Sequence, residues 1–332
     1  MGTSPNEEVL PVRRRSAVLL STTVLAVLAL AGCSSPAEPD AEPTGTPADL
    51  CAAAADSGPV VESLSVSDGA PEDGAVPVEF ETPLEVADFE REVVVEGDGD
   101  PIESGQFLDV ALTAYNAETG ELFGTAGFAP GEQLPQQISP ESTLGLVLGC
   151  APVGSRIAAV FPASEASPTA LVYTFDILGV TPTAAWGEAQ EPVDGMPEVE
   201  LDDDGAPTVT LPDDLETPET TQLATLKQGD GIEVQDGDQV LVQYRGVRGS
   251  TGEEFDSSWS GGAPAQFGTG QVIPGFTKAL VGHTVGSQVI AVIPPAEGYG
   301  EGEINEEDLT GETLIFVVDI LATQHTPAAP AE

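Results

Sequence analysis

The feature that most constrains this chain is a long internal repeat. Gly97-Asp98-Gly99 returns as Gly229-Asp230-Gly231, a step of 132 positions. The same step carries Val110 to Val242, Thr119-Gly120-Glu121 to Thr251-Gly252-Glu253, and Phe123 to Phe255. It still holds for Leu148 and Leu280, Val153-Gly154-Ser155 and Val285-Gly286-Ser287, and Pro162 and Pro294. Later the step becomes 143, pairing Asp176-Ile177-Leu178 with Asp319-Ile320-Leu321, so one loop of the first copy is shorter by 11 residues. A register kept over this many landmarks implies one structural unit used twice. The copies are placed at 68–182 and 200–323, with a linker over 183–199 and a disordered tail over 324–332.

Each copy reads as strand-rich. Gln239 to Arg245 alternates as a half-buried strand does, and Ser287–Ile293 and Thr313–Leu321 are rich in β-branched residues. Thr208-Val209-Thr210-Leu211 alternates as well, while Asp202-Asp203-Asp204-Gly205 reads as charged linker. The one helix signal is Pro274 to Val281, with Pro in its first turn and Gly282 just past its end. The expected class is α+β, an antiparallel sheet with one short helix per copy.

Aromatic residues are scarce, 5% of the chain, yet they gather between residues 244 and 316. Tyr244, Phe255, Trp259, Phe267, Phe276, Tyr299 and Phe316 fall on separate expected strands and loops, so several elements converge on one apolar hollow. Asp256 and Tyr299 add polar groups beside it, which is the usual make-up of a small-ligand site. The ordered run Val240-Leu241-Val242-Gln243-Tyr244, Gly252-Glu253-Glu254-Phe255-Asp256-Ser257-Ser258, Val272-Ile273-Pro274-Gly275-Phe276, Pro294-Pro295, Tyr299-Gly300 and Leu314-Ile315-Phe316 resembles the FKBP family. These are prolyl cis/trans isomerases that also bind macrolide immunosuppressants. The likeness spans roughly residues 226–323.

The resemblance implies a twisted sheet wrapped around the short helix, with the pocket between them. It implies Phe276 as pocket floor, Tyr244, Phe255 and Phe316 as walls, and Val272 and Ile273 on the rim. The Ile273 N–H and the Tyr299 hydroxyl become donors to substrate carbonyls, and Asp256 a polar contact or a partner of Tyr244. Phe267 is expected in the core. The chemistry implied needs no cofactor and no metal. Two positions depart from the family: Phe276 stands where Trp is common, and Ala265 where an aromatic wall is common, opening one side. In the first copy Tyr244 becomes Leu112, Asp256 becomes Gly124, and Val272–Phe276 becomes Pro140-Glu141-Ser142-Thr143-Leu144. Phe316 becomes Tyr173, and Tyr299 has no counterpart, so that copy is expected to be catalytically silent.

The N-terminus bears on location. Arg13-Arg14-Arg15 precede an apolar run from Ala17 to Ala31 that ends in Leu30-Ala31-Gly32-Cys33. This has the layout of a secretion signal over 1–32 and resembles a bacterial lipobox, with Cys33 as the lipidated first residue. The arginines leave a twin-arginine export route open. Residues 33–67 are read as an acidic, Pro-rich tether to the membrane face. Cys51 and Cys150 suggest a disulfide in an exported protein, two unpaired buried thiols being the alternative. A net charge of −47 makes nucleic acid a poor partner. The leading expectation is therefore a lipid-anchored isomerase acting on proline-containing clients and open to macrolide inhibitors. The alternative is a non-catalytic client-binding module that uses the pocket for docking.

Overall fold

A computed structural model describes residues 49–326, except 73, 166, 213, 306 and 307. The expected signal segment, Cys33 and the first part of the tether lie outside the described residues.

Two antiparallel sheets dominate. The first contains β1 (Glu90–Val95), β2 (Phe107–Asn116), β3 (Leu122–Ala126), β4 (Arg156–Phe161) and β5 (Leu171–Thr181), in the order β1-β4-β5-β2-β3. The short strand Gln136–Gln137 also pairs with β2. The second contains β6 (Gln222–Gln228), β7 (Gln239–Arg248), β8 (Glu254–Ser257), β9 (Ala265–Gly268), β10 (Gln288–Ile293) and β11 (Leu314–Gln324). Its order is β8-β7-β11-β10-β6, with β9 also on β7. The pairings correspond across the repeat. Leu112 faces Phe175 where Tyr244 faces Val318, and the bulge after Asp109 recurs after Leu241. Gly97 and Gly229 each donate their N–H to a serine, Ser155 and Ser287, at 2.9 Å.

One helix crosses the inner face of each sheet, α1 (Thr143–Leu148) in the first and α2 (Pro274–Leu280) in the second. Ser142 caps α1 by accepting from the Gly145 N–H at 2.9 Å. The α2 helix has no side-chain cap and relies on Pro274, whose ring presets a helical φ. Phe276, Ala279 and Leu280 of α2 pack against Val242, Val289, Ala291, Ile293 and Val318. Gly275 permits this approach, since a Cβ there would lie 2.3 Å from the Ile293 side chain.

The opposite face of each sheet is apolar too, which moves the expected boundaries. Ile290, Val292, Ile315 and Val317 point away from α2 and are covered by Met196, Val199, Val209, Leu211 and Leu215. That cover is a hairpin, Glu198–Leu201 paired with Pro207–Thr210. The acidic run Asp202–Asp204 forms its turn instead of a linker, and Asp202 accepts from the Asp204 and Ala206 amides. The first sheet is covered likewise by Val60, Leu64, Val66, Val78 and Phe80. Residues 60–66, expected in the tether, are therefore part of the fold. Leu50–Ala53 is a helical turn with Leu50 buried, and Cys51 is bonded to Cys150 across 99 residues.

The linker expected over 183–199 is likewise fastened to the second sheet. Ala185 donates its N–H to the buried Asp319 at 2.8 Å, and its carbonyl accepts from Lys227 Nζ at 2.8 Å. Glu188–Ala189 pairs with β6. Residues 324–326, expected in the tail, are fastened as well, and His325 Nδ1 lies 2.9 Å from the buried Asp238 carboxylate. The two halves share a small buried cluster of Phe107, Leu134, Leu241, Leu321 and Ala322. Gln324 and His325 add hydrogen bonds to the carbonyls of Glu132 and Gly131.

Candidate functional site

The central strands of the second sheet bring separate aromatic residues to one place. Tyr244 on β7 and Phe316 on β11 share the inner face, since alternate residues of a strand point the same way. Phe276 rises from the first turn of α2 between them. It meets Phe316 edge-on at 5.0 Å, Tyr244 at 5.9 Å and Phe267 at 6.0 Å. Such edge-to-face contacts match the positive rim of one ring to the negative face of the next. The rings border a cavity of about 290 Å³ lined by Tyr244, Asp256, Phe267, Gln271, Val272, Ile273, Phe276, Tyr299 and Phe316. Phe276 is 4% exposed and forms its base.

Seven of the eight expected pocket residues border this cavity. Phe255 does not; it stands one ring behind, edge-on to Phe316 at 5.4 Å. It supports the wall from the rear. Gly246 makes room for that stack, because a Cβ there would lie 2.7 Å from Phe255 and 2.8 Å from Phe316. Conversely, Phe267 is on the cavity wall and not only in the core. Ala265 and Phe267 lie two residues apart on β9, hence on one face, and Phe267 supplies a ring where Ala265 has none. That alternation was the available signal. Gln271 also borders the cavity, and nothing in its sequence context marks it.

The polar groups are arranged around the mouth. The Tyr244 hydroxyl donates to Asp256 Oδ2 at 2.8 Å. Asp256 faces Gly246 across the β7–β8 ladder, which sets its carboxylate beside the Tyr244 two residues away. Burial pushes the Tyr244 phenol well above its ordinary value, and the Asp256 carboxylate raises it further. Tyr244 therefore stays protonated and keeps donating. Ile273 caps α2 in an extended conformation, its carbonyl accepting from Phe276 and Thr277. Its own N–H has no acceptor among the described residues.

Tyr299 is 54% exposed, on the loop between β10 and β11. This loop is held at its root. Lys278 of α2 donates to both carboxylate oxygens of Glu297 at 2.7 Å, and the Thr221 N–H donates to Glu297 at 3.0 Å. The Lys278 and Thr221 bonds hold the Glu297 carboxyl down at about 2. Gly300 N–H then closes the turn onto the Pro295 carbonyl at 2.9 Å. This fastening joins residues far apart in sequence, and no spacing rule announces it.

A different set of rings packs at the corresponding place on the first sheet. Phe161 occupies the position of Ile293, and it packs on Phe89 at 4.7 Å and on Tyr173 at 5.3 Å. Tyr173 stacks in turn on Phe175 at 5.5 Å. Leu112, Gly124 and Leu144 stand where the second sheet has Tyr244, Asp256 and Phe276.

Among the described residues no group of three or more His, Cys, Asp or Glu is placed to hold a metal ion. Residues 231–321 match the family model described as FKBP-type peptidyl-prolyl cis-trans isomerase. The chain is 44% identical to an FK506-binding protein of Streptomyces anulatus over 110 residues, 32% of this chain and 89% of that protein. A probable FK506-binding protein of Corynebacterium glutamicum is 38% identical, over 32% of this chain and 88% of that one. The crystal structure of FkpA from Escherichia coli is 28% identical over 39% of this chain and 53% of that one, with a TM-score of 0.30. The match to the family model, and the near end-to-end coverage of the Streptomyces relative, show that this chain belongs to the FKBP-type peptidyl-prolyl cis-trans isomerase family.

Proposed function

We propose that the second sheet and α2 catalyse cis/trans isomerisation of the peptide bond preceding proline. The observation that carries this is the ring-walled cavity with Tyr244 and Asp256 on its wall, and with Tyr299 and the free Ile273 N–H at its mouth. Amide rotation faces a barrier of about 18–20 kcal/mol because the planar bond is conjugated. At the twisted midpoint conjugation is lost and the carbonyl oxygen carries less charge, so it depends less on water. A dry, aromatic site therefore favours the twisted form over either planar one, and that difference is catalysis. The proline ring would sit on Phe276, between Phe316, Phe267 and Tyr244. Tyr299 and the Ile273 N–H would hold the flanking carbonyls. The Tyr244–Asp256 bond keeps the wall in one position.

The same cavity is the place for a macrolide such as the FK506 after which the Streptomyces and Corynebacterium relatives are named. The matching strand order, register and bulge of the first sheet support reading it as a second FKBP-like unit that has lost its site. The basic stretch, apolar run and Cys33 support an exported, lipid-anchored protein that assists folding at the outer face of the cytoplasmic membrane. A docking site without catalysis is the second reading, favoured by the missing ring at Ala265. Isomerisation of a proline tetrapeptide by the full chain separates the two. Tyr299→Phe should lower kcat/KM by about 3- to 10-fold, the worth of one hydrogen bond. Equal, negligible rates in wild type, Tyr299→Phe and Asp256→Ala would leave the docking reading.

A further inference from the structure

A second concavity lies between the two sheets, with a volume of about 700 Å³. Its walls come from β5 and the 127–135 segment of the first half, and from the end of β11 and the fastened 182–186 segment. Leu178, Val180 and Trp186 border it, and all three are large apolar side chains left exposed, at 51%, 39% and 43%. Among the described residues no Lys, Arg or His lines it, whereas Asp109 and Asp230 do. Asp109 is half-buried, and the partner of its carboxylate among the described residues is the Thr181 hydroxyl at 3.0 Å. Burial pushes its carboxyl upward, so the charge is held there at a cost.

The charge of the rest of the molecule says what would relieve that cost. Every described Lys and Arg is already engaged internally. Arg156 pairs with Asp176, Arg245 with Glu254, Arg248 with Glu312 and Lys278 with Glu297. Arg91 and Lys227 are spent on the carbonyls of Leu148 and Ala185. The outward field is therefore acidic and uncompensated, and the groove combines it with exposed apolar walls.

From this complementarity we infer that the groove binds an extended, unfolded polypeptide segment carrying Lys or Arg among apolar residues, with its cation at Asp109 and its apolar side chains on Trp186 and Leu178. The site is separate from the ring-walled cavity. Phe316 borders that cavity and Leu321 this groove, five residues apart on β11, or roughly 17 Å at about 3.4 Å per residue. A client held in the groove thus keeps a neighbouring stretch at high local concentration near the isomerase pocket. The inference goes beyond the catalytic reading and does not depend on it, because the segment needs no proline.

The test uses the full chain and a fluorescent 14-residue peptide of alternating leucine and arginine without proline, with a leucine–glutamate peptide as control. Fluorescence anisotropy should show binding of the basic peptide that weakens as salt rises, and at least tenfold weaker binding of the acidic one. Asp109→Asn and Leu178→Ser should each weaken the basic peptide by about two- to fivefold, the worth of one paired charge or one apolar contact. Turnover of a short proline peptide should stay within about twofold of wild type in both variants. Asp109→Asn should also melt no lower than wild type, which separates lost binding from lost folding. Equal binding of both peptides, no binding, or unchanged affinity in both variants overturns the inference. So does a dimer in sedimentation equilibrium that Leu178→Ser dissociates, since the groove is then an interface between copies.

Discussion

At the residue scale the chemistry rests on a few side chains whose settings differ. Phe276 is nearly fully buried and serves both the core and the pocket floor. Phe276→Ala should abolish isomerisation and destabilise the fold by about 3–5 kcal/mol, seen together in a tetrapeptide assay and a urea titration. Tyr299 projects from a loop, so Tyr299→Phe should change rate and leave the urea midpoint in place. Tyr244 gives a pH signature. Its phenol is raised by burial and by Asp256, so it remains a donor beyond the ordinary tyrosine range. In the Tyr299→Phe variant, where Tyr244 is the phenol left on the cavity wall, the remaining rate should therefore show no loss from phenol ionisation up to pH about 10, where a free tyrosine is half ionised. The identities of these residues were legible because aromatics are rare in this chain and cluster in one window. The division of labour between Phe255 and Phe267 was not. Which of two inward rings touches a cavity depends on the depth of neighbouring side chains, such as the missing one at Gly246.

At the element scale, α2 and the loop carrying Tyr299 are tied together through Lys278 and Glu297. The Glu297 carboxyl is lowered in the folded state, so its contribution is present above the unfolded value and fades as pH falls. The stability advantage of wild type over Glu297→Gln should shrink between pH 4.5 and about 2, followed by thermal melts across that window. Because the tie fixes the root of the Tyr299 loop, Glu297→Gln should also raise KM more than it lowers kcat at neutral pH. Gly275 sets the contact between α2 and β10. Gly275→Ala forces a methyl against Ile293 and should cost about 1–3 kcal/mol in chemical denaturation. Helix and strands could be read from Pro274, Gly282 and the β-branched runs. Three-way contacts such as Thr221–Glu297–Lys278 could not, since they are products of the folded arrangement.

At the scale of the whole molecule, the two sheets share one strand order and a matching register. What the sequence obscured is that each sheet is buried on both faces, so polar-looking segments at 60–80 and 196–215 act as covers. Their few apolar residues are spaced by turns, which disguises them as linker. The 51–150 disulfide closes a loop of 99 residues around the first half, and the chain-entropy model gives about 4–5 kcal/mol for such a loop. Reduction should lower the melting temperature of the first half before that of the second, followed by calorimetry with and without reductant. The measurement that bears most directly on the whole account is the isomerisation rate of a proline tetrapeptide with the full chain and two floor variants. Phe276→Ala in the second half should remove the activity, and Leu144→Ala at the matching place in the first half should leave it intact. Activity that survives Phe276→Ala in a folded protein, or that vanishes with Leu144→Ala, would contradict the assignment of catalysis to the second sheet.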